Sequence, residues 1–146
     1  MKNVYPISLF VLFLLLSMLH FSWGIGSTWG IANALPTNEK GDLLLNPTIL
    51  DCIIVGLVLL SFAAFYLLQS TLIKNPLAPK FNRIISWVIP SIFLIRAAGD
   101  FKHVGIFKPS MDTPFALADT YYYSPLCLVI AGIGYYLVLS LRPIDR

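Results

Sequence analysis

Residues Phe93–Leu128 read FLIRAAGDFKHVGIFKPSMDTPFALADTYYYSPLCL. This stretch leaves one apolar segment through Arg96 and enters another through Ser124-Pro125. Between those points lies the densest set of charged, aromatic and glycine residues in the chain. Everything else is apolar wall or short connector. The pattern is that of a small multi-pass membrane protein, and it names no reaction and no ligand by itself.

The composition agrees. Of 146 residues, 58% are hydrophobic and 12% charged, and the mean hydropathy is +0.80. Soluble domains carry about 25% charged residues, so a chain this poor in charge cannot cover its surface for water, and the expected solvent is the lipid bilayer. The length suits one domain over residues 1–146 with four helical spans, each of roughly 20 residues. A net charge of +3, without a Lys/Arg cluster, excludes nucleic acid as the expected partner.

Working outward, the first apolar run is Ile7 to Trp23, with Pro6 suited to a first helical turn. A cleaved signal peptide is the rival reading, because Ala32-Asn33-Ala34 resembles a cleavage site. The run is as long as a full span, and that site lies well beyond its end. Both features favour a retained helix. Trp23 and Trp29 flank the following connector and suit the headgroup interface. Asn46-Pro47 reads as cap and first turn of span two, and Asn75-Pro76 ends it. Gly56, Ser61, Ala63 and Ala64 give that span a small-residue face open to close helix approach. Span three contains Pro90, expected to kink it, and stops at Gly99. For span four, Asp119 is the expected cap, with a bend at Pro125. The expected spans are therefore 6–25, 47–74, 82–98 and 119–142, an all-α, integral membrane four-helix bundle. Lys2, Lys74, Lys80, Arg83, Arg142 and Arg146 fall on the side of the termini, against Lys40, Lys102 and Lys108 on the other. The positive-inside rule then puts both termini in the cytoplasm.

This topology gathers polar residues at one, extracytoplasmic face. His20 closes span one, Asp51 opens span two, Arg96 and Asp100 close span three, and Asp119 opens span four. Charges at membrane depth are costly and find partners inside the bundle, so Arg96 is expected to contact Asp100 or Asp119. Arg96 either snorkels to the headgroups or presents its forked donors to a carboxylate or phosphate. The candidate ligand residues are Arg96, Asp100, Lys108, Asp119, His20, Trp23 and Tyr123. Tyr121, Tyr122 and Tyr123 also suit an interfacial belt. No HxH, HxxxH or HExxH spacing is present, so no metal site is expected, and neither a cofactor nor a catalytic residue is assigned. Cys52 and Cys127 sit at matched depth and are expected to be unpaired, buried thiols. Gly132-x-Gly134 reads as helix packing.

The central stretch resembles a family of small bacterial four-span membrane proteins known only as domain of unknown function 3995. The resemblance rests on FLIRAAGDFKHVGIFK, on Thr113, Phe115-Ala116 and Asp119, and on Tyr123-Ser124-Pro125-Leu126-Cys127. His20-x-x-Trp23-Gly24, Trp29-Gly30 and Leu35-Pro36 extend it over nearly the whole chain. It implies a four-helix domain with both polar loops on one face, in a bacterial plasma membrane, and brings no established activity. Pro109-Ser110-Met111-Asp112 departs from the more basic link expected there, which weakens an anion-binding role for that loop.

Three functions compete. One is an outer polar pocket for a small or lipid-like anionic ligand, motivated by Arg96, Lys108 and the converging helix ends. Another is a structural or accessory protein, of assembly or immunity type, packing on another membrane protein through the small-residue face of span two. The third is an intramembrane enzyme using His20 or an aspartate, which no catalytic spacing supports.

Overall fold

Long apolar runs without water to satisfy their backbone must close their hydrogen bonds internally, and helices do this segment by segment. The computed structural model describes residues 3–37, 43–72, 75–99, 104–106 and 113–140. Within them the chain forms α1 (Val4–Gly24), α2 (Ile31–Ala34), α3 (Ile49–Gln69), α4 (Pro79–Ala98), α5 (Pro114–Ala118), a π-helical turn (Asp119–Tyr123) and α6 (Ser124–Ser140). Four stretches are long and apolar enough to cross a membrane, the fourth running from Pro114 through Ser140. No strand occurs among the described residues, only an isolated antiparallel bridge between Thr37 and Leu43.

Three helix starts differ from the sequence expectation, each for a local reason. α4 begins at Pro79 rather than at residue 82, with the proline in its first turn. α3 is capped by Thr48, not Asn46. The Thr48 hydroxyl accepts from the Asp51 N–H at 3.3 Å, and Asp51 Oδ2 accepts from the Thr48 N–H at 2.8 Å. This reciprocal pair satisfies two amides that would otherwise be orphaned at the helix start. The fourth span is capped by Thr113, six residues before the expected cap. Thr113 Oγ1 accepts from the Ala116 N–H at 3.1 Å, and Pro114 occupies the first turn, where its missing N–H costs nothing. Asp119 therefore lies inside a continuous helical span rather than at its mouth. The chain widens to a π turn at Asp119–Tyr123, just before Pro125 removes a backbone donor. At the other end of α4, Gly99 stops the helix as expected, with φ +86°.

The helices pack as two antiparallel pairs, α1 with α3 and α4 with α6. The Thr71 N–H donates to Asn3 Oδ1 at 3.0 Å, joining the end of α3 to the start of α1. Within this pair Gly56 admits the Phe21 ring, which a Cβ there would meet at 2.8 Å. Ser17 Oγ donates to the Gly56 carbonyl at 2.8 Å. The small-residue face of span two is thus partly spent internally, with Gly56 and Ala63 buried and Ser61 and Ala64 exposed. In the second pair Ser91 and Tyr135 hydroxyls lie 2.9 Å apart, and Gly134 accommodates Pro90, 2.8 Å from its would-be Cβ.

Phe13 joins the pairs. It is fully buried, stacked on Tyr66 at 5.7 Å, and tilted against Phe93 at 5.2 Å. Tyr5 and Tyr136 add a second junction at 4.9 Å. Cys52 and Cys127 are buried and free.

Candidate functional site

The last turn of α4 carries Arg96, a cation at the negative end of the helix dipole. Its Nη2 donates to Asp119 Oδ1 at 2.9 Å. The other carboxylate oxygen, Oδ2, accepts from the backbone N–H of Gly105 at 2.7 Å. Asp119 is 0% exposed. A carboxylate buried to that degree persists as an ion only when paired and hydrogen-bonded, and here both oxygens are engaged. The expected contact of Arg96 with Asp100 or Asp119 is made through Asp119. Asp100, His103 and Lys108 lie outside the described residues.

Gly105 reaches Asp119 because two glycines let the backbone close up. Gly105 has φ +93° and Gly99 φ +86°. A Cβ on Gly99 would stand 1.7 Å from the Val104 carbonyl oxygen, and one on Gly105 would stand 2.4 Å from that of Ala98. The Ile106 N–H then donates to the Ala97 carbonyl at 2.9 Å. Residues 104–106 are thereby pressed onto the end of α4, and an amide is delivered to the buried carboxylate. Sequence reasoning missed Gly105. The available signal was a second glycine six residues after the helix stop, in a segment otherwise rich in bulky side chains.

Around this pair, Tyr123 lies close enough to feel both charges, as does Cys127. The Tyr123 ring is 6.4 Å from Phe115, while Tyr121 and Tyr122 point outward and are exposed. Arg96 is only partly consumed. Its side chain is 35% exposed, while Nη1, itself buried, has no hydrogen-bond partner among the described residues. The Ser124 hydroxyl, fully buried, is also unpartnered. The short helices α2 and α5 pack together at this end, so both connectors share one face of the bundle.

His20, Trp23 and Asp51 are engaged elsewhere. His20 Nδ1 lies 2.9 Å from the Leu16 carbonyl. A carbonyl only accepts, so Nδ1 carries the proton in that bond. Trp23 packs its ring 4.8 Å from His20 and donates Nε1–H to the Trp29 carbonyl at 2.8 Å, bracing the turn after α1. Asp51 spends its carboxylate on its own helix cap. The single cluster expected from four converging helix ends is therefore narrower, because local partners outcompete distant charges: a backbone carbonyl for His20 and a backbone N–H for Asp51.

Chemically, Asp119 is neutralised and enclosed, which suits anchoring rather than proton abstraction. Arg96 is held rigidly by one terminal nitrogen and keeps donor capacity on the other. Among the described residues no three His, Cys, Asp or Glu side chains converge as metal ligands.

No curated protein and no solved structure matches this chain. A family model described as "Protein of unknown function (DUF3995)" matches residues 13–134, a range that takes in His20, the glycine-pinned loop, Arg96 and Asp119, and the chain belongs to that family.

Proposed function

We propose that this membrane protein binds the anionic group of a small or lipid-like molecule at Arg96, in the plasma membrane of a bacterium. The observation that carries the reading is the half-used guanidinium. Asp119 orients Arg96 through Nη2, Nη1 is buried and without a partner among the described residues, and the side chain as a whole retains 35% exposure. A guanidinium so fixed loses little freedom when it meets a carboxylate or phosphate, whose geometry its donors match. A structural cation would be expected to use both terminal nitrogens on the protein. Tyr123, four residues beyond Asp119 on the same helical span, is the adjoining ligand residue, and Asp100 and Lys108 are further candidates from the sequence. The accessory-protein reading loses support, because Gly56 and Ala63 are already covered from within the chain.

The test separates binding from folding. Arg96→Lys keeps a cation for Asp119 but removes the fork. In detergent-purified protein, oleate or phosphatidic acid should raise the melting temperature of the wild type, and Arg96→Lys should lose most of that rise. Equal stabilisation of both proteins, or of neither, would refute the proposal.

A further inference from the structure

At the opposite end of the bundle, where α1 and α4 begin and α3 and α6 end, the helices border a partly open cavity of about 550 Å³. Tyr5 and Pro6 of α1, Tyr66 and Gln69 of α3, Ser86 of α4 and Leu137 of α6 border it. None of the described residues around it is charged. Its volume falls in the range of small-molecule sites, roughly 300–1,000 Å³. Ser86 and Arg96 are ten residues apart on α4, about 15 Å along the helix, so this is a separate place from the Arg96 site.

Tyr66 gives the cavity its chemistry. The residue is 2% exposed, and its buried hydroxyl has no hydrogen-bond partner among the described residues. The hydroxyl nests against Gly134, another cavity residue, and a Cβ there would stand 3.1 Å from it. Neither polar neighbour bonds it: the Gln69 amide donates to Asn82 Oδ1, and Ser86 Oγ donates to the Asn82 carbonyl at 2.8 Å. The Tyr66 O–H is left without a target. A buried donor without an acceptor is a cost, and phenylalanine would make the same ring contacts with Phe13 and Phe65 without it. A hydroxyl kept there is a hydroxyl kept for something that enters.

We infer that this cavity is a binding site for an uncharged amphiphile, in which a carbonyl oxygen of the ligand accepts from Tyr66 and an apolar body fills the space against Leu137 and Tyr5. The shared chemistry is a neutral carbonyl on a lipid-soluble frame, supplied either by a quinone ring or by the ester of an acylglycerol. The described lining offers hydroxyls and apolar surface and no counter-charge.

The experiment uses the full-length purified protein with decyl-benzoquinone and monooleoylglycerol, and the Arg96→Lys variant with oleate as the charged control. At least one neutral probe should raise the melting temperature, and which one does so identifies the source. Tyr66→Phe should melt at the wild-type temperature or above without ligand, and should bind that probe about fivefold more weakly, the worth of one neutral hydrogen bond. Arg96→Lys should leave neutral-probe binding unchanged, so failure here and failure of the anion site are read separately. The inference is overturned if neither neutral probe binds, if Tyr66→Phe binds as tightly as wild type, or if Tyr66→Phe alone melts several degrees lower, which would mean that the hydroxyl already has a structural partner.

Discussion

Asp119 has no exposed surface, and each of its oxygens is answered from a different part of the chain, one by the Arg96 side chain and one by the Gly105 backbone. Removing the carboxylate leaves a guanidinium and an amide unsatisfied together. Asp119→Ala should therefore cost roughly 3 kcal/mol, the lower end for breaking a buried ion pair, because Arg96 keeps some access to solvent. Asp119→Asn, which preserves an acceptor but no charge, should fall between wild type and Ala. In denaturant melts the Arg96→Ala/Asp119→Ala double variant should lose less than the sum of the singles, the signature of direct coupling. An additive double variant would show that the pair is incidental. The Arg96–Asp119 contact was legible in the sequence because few charges occur at helix ends in an apolar chain and each needs a partner. The Gly105 amide was not, since every residue but proline carries such a donor and only the fold selects one.

At the scale of the helix, the same economy decides which polar residues join the site. His20 and Asp51 sit at the right end of the bundle to reach Arg96, yet each meets a backbone partner within four residues of itself. A near, preformed partner wins over a distant one that requires both side chains to be ordered. Helix periodicity could place these residues at one end and could not reveal that competition. The Gly132-x-Gly134 pair shows the corresponding limit for packing. Both were read as packing glycines, but a Cβ on Gly132 meets nothing within 4 Å, whereas one on Gly134 meets Pro90 at 2.8 Å. Gly134→Ala should destabilise by about 1–3 kcal/mol through overpacking, and Gly132→Ala should be neutral or slightly stabilising through helix propensity. Thermal melts of the two single variants decide it. Equal effects would mean that α4 and α6 do not meet at Pro90.

Across the whole molecule, the four spans were legible because hydrocarbon demands long, uninterrupted apolar helices, and such runs are visible without any alignment. Their ends shifted where capping chemistry intervened: Thr48 with Asp51, and Thr113 with Pro114. The pairing of α1 with α3 and α4 with α6 was not legible. It depends on which small residue admits which ring, as Gly56 admits Phe21. This arrangement puts the two proposed sites at opposite ends of one bundle, a charged one beside α2 and α5 and one whose described lining is uncharged beside the termini. The orientation prediction then acquires functional content. Six basic residues on the terminal side against three on the other predict cytoplasmic termini, so the Arg96 site would face the outer headgroup layer and the Tyr66 cavity the inner leaflet. Epitope tags fused at residue 1 and at residue 146 should both resist protease added to intact cells and both be cleaved once the cells are opened. Cleavage of both tags from outside would reverse the assignment of each site to its leaflet. Cleavage of only one would contradict an even number of spans, and with it the fold.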